Sequence, residues 1–121
     1  MQWLNPVPTP EWFPHALARA YEACVRQQFT GDAIYNAAIV FGISIARNEV
    51  ELLVEEQKMR FNLDTGRLSP RSVKRLRRTL DSLHASWSKS LAIRPGRKSE
   101  AAEATLSGLR LFADGLLKEV A

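Results

Sequence analysis

The chain has 121 residues, of which 45% are hydrophobic and 25% are charged, and its formal net charge is +4. This length and composition suit one domain that can bury its own hydrophobic core. Cys24 is the single cysteine, so no internal disulfide can form and the sequence does not indicate an oxidising compartment. The first residues do not have the pattern of a signal peptide. We therefore expect one domain over residues 1–121 in a cytoplasmic protein.

Residues 1–13 are rich in proline and aromatic side chains. Because proline cannot donate a backbone hydrogen bond and fixes φ, we expect this segment to be an extended N-terminal arm. The arm either packs over its own domain or docks on another protein subunit, since large aromatic side chains are frequent anchors of interfaces. The candidate partner-binding residues are Trp3, Trp12 and Phe13.

Four stretches show the three- and four-residue apolar spacing of amphipathic helices, at about 14–29, 32–60, 70–92 and 99–120. The second is apolar around much of its circumference, which predicts the central helix of the core. Ser69 followed by Pro70 is a strong helix start, and residues 64–66 predict a turn before it. The sequence therefore predicts an all-α fold, a single-domain antiparallel four-helix bundle preceded by the arm.

The third predicted helix has an apolar stripe on one face and cations on the opposite arc. Residues 67–98 contain ten lysines and arginines but Asp81 as their one acidic residue, so the local positive field far exceeds what the net charge suggests. No acidic residue occurs between Asp81 and Glu100, the stretch that contains Lys89 and the cations of the following loop. The candidate nucleic-acid-binding residues are Arg71, Arg75, Arg78, Lys89, Arg94, Arg97 and Lys98.

Part of this basic face has an alternative interpretation as an internal feature of the fold. If the second and third helices form an antiparallel hairpin, residues 49–60 lie beside residues 71–82 and four carboxylates can neutralise the cations: Glu49, Glu51, Glu55 and Glu56. Arg77 and Lys74 lie nearest the apolar stripe on an ideal helix and are expected to form these ion pairs.

Motifs of catalysis and of metal binding are missing from the sequence. The only histidines are His15 and His84, and no phosphate-binding glycine loop or zinc-ligand motif occurs. We expect no enzymatic activity, no cofactor, no metal and no small-molecule substrate. The most apolar window, 33–54, carries too many polar and charged residues for a bilayer span, so we expect no membrane partner.

Two functions from different classes fit these observations. No base-reading module is evident, so a nucleic-acid-binding protein of this kind would contact the phosphate backbone of RNA or DNA without sequence specificity. We expect a non-catalytic helical protein of this type, a small subunit of a larger nucleoprotein complex with other protein subunits. The alternative is a helical protein–protein interaction module, an adaptor, inhibitor or antitoxin-like protein, that presents its basic face to an acidic protein.

Overall fold

The structure is a computed structural model that describes residues 9–27, 32–62, 64–92 and 100–121. The described part is mostly helical, which confirms the predicted fold class at that level. Two short strands, which the sequence did not predict, form an antiparallel hairpin in which Phe61 pairs with Leu68 and Asn62 with Arg67. The elements are α1 (Trp12–Val25), α2 (Ala33–Glu55), β1 (Phe61–Asn62), β2 (Arg67–Leu68), α3 (Pro70–Ala92) and α4 (Glu100–Val120).

Helix α1 begins at Trp12, within the predicted arm, and not at Pro14. Pro14 is the third helical residue, where the backbone N–H needs no partner within the helix, so proline is tolerated there. The N–H of Phe13 donates to the carbonyl oxygen of Pro10 at 3.1 Å. The helix ends at Val25, which is earlier than predicted. The arm therefore shortens to the residues before the helix, and residues 1–8 lie outside the described residues.

Helix α2 is well defined at both ends. The carboxylate of Asp32 accepts a hydrogen bond from the N–H of Tyr35 at 2.8 Å, which caps the N-terminus. At the other end the N–H of Lys58 donates to the carbonyl oxygen of Leu53, and that of Gln57 to Val54, both at 3.0 Å. This is the Schellman pattern, and it places Gln57 in the left-handed region with φ 57°. The helix therefore ends at Glu55. The prediction that it would continue to about residue 60 is wrong.

Replacing Gln57 with glycine is expected to raise the free energy of unfolding by about 0.5–1 kcal/mol, because glycine adopts the left-handed conformation without a steric penalty. Urea denaturation monitored by circular dichroism measures the change. Gly66, at φ 67°, is the other described residue with positive φ and provides the opposite control. Gly66→Ala is expected to destabilise the fold by about 1 kcal/mol. A destabilised Gln57→Gly variant would contradict this account of the helix end.

Helix α4 occupies the central position that we had predicted for α2. It contacts the three other helices and β2, and its contact with α2 is the most extensive in the described structure. Phe112 and Leu116 of α4 are fully buried. Helix α2 instead leaves three large apolar side chains exposed, by 73%, 52% and 47% respectively: Ile34, Phe41 and Leu52. None of the helices in the described part of the chain has the length and hydropathy that a bilayer crossing requires.

Two glycines allow α2 and α4 to approach each other closely. A Cβ atom placed on Gly42 would overlap the carbonyl oxygen of Thr105 and lie 2.8 Å from the backbone nitrogen of Leu109. A Cβ placed on Gly108 would overlap the carbonyl oxygen of Ile39. The two helix backbones are therefore in direct contact at this crossing, with no room for any side chain.

Candidate nucleic-acid interface

The interface is built where the segment after α2 meets the first turn of α3. The N–H of Arg60 donates to Ser72 Oγ at 2.6 Å, and the N–H of Ser69 donates to the carbonyl oxygen of Arg60 at 3.0 Å. Ser69 also caps α3, since its Oγ accepts from the N–H of Ser72 at 3.3 Å. Ser72 is only 3% exposed, so this network holds the backbone of Arg60 against the start of α3.

This junction forms one wall of an open groove with a volume of about 1020 Å³. Six cations line it, two from the segment after α2 and four from α3: Lys58, Arg60, Arg71, Lys74, Arg75 and Arg78. The rest of the lining is Ser69, Pro70, Ser72 and Thr79. We call this feature the basic groove. Three of its cations, Arg71, Arg75 and Arg78, are residues that the sequence analysis selected.

Five of the six groove cations have no carboxylate partner within the described structure. Lys58 is the exception, and its ion pair with Glu56 is half exposed on both sides, so it contributes little energy and leaves the charge available. The predicted pairing of Lys74 and Arg77 with the acidic end of α2 is not found, and both side chains are exposed. Glu51 pairs instead with Arg47 on its own helix, at 3.0 Å. Helices α2 and α3 have few contacts with each other, so the predicted ion pairs between residues 49–60 and residues 71–82 do not form in the described structure.

A second, smaller concavity of about 540 Å³ lies further along α3. It shares Lys74 and Arg78 with the basic groove and adds Arg77 and Asp81, the latter paired with Arg110 at 3.3 Å. Lys89 lines neither concavity but is exposed on the same helix. The predicted residues Arg94, Arg97 and Lys98 lie outside the described residues.

The sequence does not indicate Lys58 and Arg60 as part of this site, and it predicts an internal ion pair for Lys74. Lys58 and Arg60 were placed in a continuing second helix, which would have carried them away from α3. Helix α2 ends through a glutamine in the left-handed region, and only a glycine at that position would have signalled the stop. The serines at positions 69 and 72 indicate a helix cap, but they do not show which segment the cap would bind.

The two described aromatic candidates of the arm do not line the basic groove and belong to the packing of the fold. Phe13 is 1% exposed, and its ring centroid lies 5.0 Å from that of Phe61. This corrects its assignment as a partner-binding residue, because a buried ring has no face to offer. Trp12 is half-buried and packs edge-on against Phe61 at 5.6 Å. Trp3 lies outside the described residues.

Among the described residues, two titratable groups have shifted pKa values, both toward the uncharged form. Burial, followed by the charge of Arg110, lowers the pKa of His84 below its usual value, and Asp81 partly opposes this. Burial raises the pKa of the Cys24 thiol. Among the described residues, no three histidine, cysteine or acidic side chains are placed to hold a metal ion. Fixed positive charge from lysine and arginine therefore dominates the chemistry of this surface.

The arrangement is suited to binding anions, because guanidinium groups donate paired hydrogen bonds to phosphate or carboxylate oxygens and keep their charge at any physiological pH. The hydroxyl group of Thr79 adds a neutral donor to the groove wall. Comparison with known proteins adds no assignment to this geometry. The chain matches no protein-family model, no curated protein and no solved structure.

Proposed function

We propose that the chain is a non-catalytic nucleic-acid-binding protein that contacts the phosphate backbone through the basic groove. One observation carries the proposal: five cations from two segments line one groove without an ion pair in the described structure. Holding like charges together costs free energy, and a bound polyanion offsets that cost. Release of counterions from the nucleic acid adds a further, salt-dependent driving force.

The lining of the groove favours phosphate over an acidic protein as the ligand. Protein interfaces draw most of their affinity from buried aromatic and aliphatic anchors surrounded by a polar rim. No aromatic or large aliphatic side chain is among the described residues that line the basic groove. Cations and hydroxyl groups alone match the chemistry of a sugar–phosphate backbone, which presents charge and hydrogen-bond acceptors without apolar pockets.

A separate surface supports the role of a small subunit in a larger nucleoprotein complex. Three exposed apolar side chains fall on one line of α2: Ile34, Phe41 and Leu52. They are separated by 7 and 11 residues, and since each residue of a helix turns by about 100°, these separations are close to two and three full turns. Exposed apolar side chains aligned on one helix face are candidate anchors for a protein contact. We further propose that the four helices pack as an antiparallel bundle, with these apolar side chains and the basic groove on its outer surface.

The direct test reverses three groove charges together, in the variant Arg71→Glu, Arg75→Glu and Arg78→Glu. At about 50 mM salt we expect at least 100-fold weaker binding to a fluorescein-labelled 20-mer nucleic acid, because each lost phosphate contact costs about one order of magnitude at that ionic strength. Fluorescence anisotropy measures the affinity. All three side chains are exposed, so circular dichroism should show an unchanged helix content.

A control variant changes the net charge by the same amount at α1, at its C-cap residue and at α4. Arg19→Glu, Arg26→Glu and Lys118→Glu alter exposed residues that lie outside the basic groove. We expect this variant to bind within about fivefold of the wild type, since distant charges are screened beyond about 10 Å. An equal loss in both variants would show that net charge and not the groove determines binding. No binding by the wild type at low salt would refute the proposed function.

A further inference from the structure

The cations of α3 form two groups along one line of the helix. On an ideal helix Arg71, Arg75, Arg78 and Lys89 fall within an arc of about 60°. Lys89 lies about 27 Å from Arg71 along the axis, at about 1.5 Å per residue. All four side chains are exposed. The described helix runs without interruption through this whole length, so the two groups are held at a fixed distance.

The side chains that lie on this line between the first group, Arg71, Arg75 and Arg78, and the second, Lys89 alone, are small and uncharged. Ser82, Ala85 and Ser86 lie on the same side of α3 between Arg78 and Lys89, and all three are exposed. Asp81, the acidic residue of this region, is also exposed, but it lies to one side of this line and its carboxylate pairs with Arg110 of α4 at 3.3 Å. The gap without cations measures about 16 Å along the helix axis. Cations near both ends of a rigid helix, with small residues between them, fit two separate anionic tracks such as the two strands that border a groove of a duplex.

We infer that the nucleic acid bound by the basic groove is double-stranded, and that α3 bridges a groove of the duplex. This inference rests on the proposed function and specifies its ligand. The cations of residues 71–78 contact the phosphates of one strand, Lys89 contacts the other strand, and the small residues lie over the groove between them. The gap of about 16 Å is wider than the major groove of B-form DNA, about 12 Å, and the long side chains of Arg78 and Lys89 can span the difference. The wide, shallow minor groove of A-form RNA is the other groove that α3 could bridge.

The position of the aromatic residues argues against a single strand. Proteins that bind single strands combine cations with aromatic side chains on which the bases stack. Trp87, the aromatic residue of α3, lies about 160° around the helix from Arg71, and its ring packs edge-on against Phe41 at 5.9 Å. Within the described residues, the cationic face of α3 therefore provides phosphate contacts but no stacking surface.

The test compares a 20-base-pair DNA duplex, a duplex RNA of the same sequence and the corresponding single strands, at one salt concentration of about 100 mM. We expect at least one duplex to bind tenfold or more tightly than its single strands. The tighter duplex then identifies which groove is bridged. Equal or tighter binding of the single strands would overturn this inference while leaving the proposed function intact. Failure of every probe to bind would refute the proposed function itself.

A single substitution tests the bridging geometry. Lys89→Glu is expected to lower duplex affinity at least tenfold and to change single-strand affinity less than threefold, because a flexible strand can follow the basic groove without reaching Lys89. The control Lys118→Glu, on α4, should change neither affinity more than threefold. An equal effect of Lys89→Glu on duplex and single strand, or no effect on either, would overturn the inference.

Discussion

Replacing Gly108 with alanine is expected to lower the free energy of unfolding by about 2–3 kcal/mol, and Gly42→Ala is expected to have a similar effect. The added methyl group at Gly108 would overlap the carbonyl oxygen of Ile39, and at Gly42 that of Thr105. Both obstacles are backbone atoms of a helix, which cannot rotate aside as the end of a side chain can. The helices must therefore move apart along the most extensive contact of the fold.

Two opposing effects decide the sign of this change. Alanine is more favourable than glycine in a helix interior by about 1 kcal/mol, so helix propensity alone predicts stabilisation. Separation of α2 from α4 reduces the packing of buried neighbours such as Ile43 and Leu109, which are nearly inaccessible to solvent. Overpacking of a close-packed core costs about 1–3 kcal/mol and sometimes more. We expect the steric term to exceed the propensity term because the overlap is with backbone.

Gly115→Ala is the matched control, since Gly115 also lies inside α4. The nearest atom to its added Cβ is Cys24 Sγ at 3.9 Å, an ordinary contact distance. We expect this variant to be more stable than the wild type by up to about 1 kcal/mol, through helix propensity alone. Urea denaturation of the three variants measures the difference. If Gly108→Ala and Gly42→Ala were as stable as Gly115→Ala, α2 and α4 would not cross as described.

Local sequence signals predicted those parts of the fold that depend on a few neighbouring residues. Ser69 followed by Pro70 located the start of α3, and the apolar spacing placed the start of α2 at about residue 32, where Asp32 caps the helix. The hydrophobic stripe of each helix was also local information. The identity of the central helix could not be predicted from such local signals. The strong hydrophobicity of α2 arises both from the residues that contact α4 and from the apolar residues that stay exposed. Sequence alone could not show that Phe41 is exposed and that Phe112 is buried.

In the candidate interface, too, some residues could be predicted from local spacing and others could not. The spacing of Arg71, Arg75 and Arg78 on one helix is sufficient to place them together, so the sequence identified them. Lys58 and Arg60 join them only because α2 ends at a left-handed glutamine and Ser72 binds the backbone of Arg60. Gly42 was missed for a related reason: a single glycine in an apolar helix gives no sign of which backbone will pass beside it.

Affinity for nucleic acid is expected to fall about 500-fold when the salt concentration rises from about 50 to about 200 mM. If the five unpaired cations of the basic groove each neutralise one phosphate, the logarithm of the association constant should decrease with the logarithm of salt concentration at a slope of about −4.5 for a duplex. Anisotropy titrations with a labelled duplex at four or more salt concentrations measure this slope.

The slope also separates the two explanations for a basic surface. A groove that binds a polyanion releases one condensed counterion for each phosphate contact, whereas an acidic protein has no condensed counterions and gives a shallower dependence. Reversal of Arg71, Arg75 and Arg78 should reduce the magnitude of the slope by about 3, one for each contact removed. The control variant Arg19→Glu, Arg26→Glu and Lys118→Glu should keep the slope of the wild type. A slope near −1 in the wild type would mean that the groove cations do not act together on one backbone.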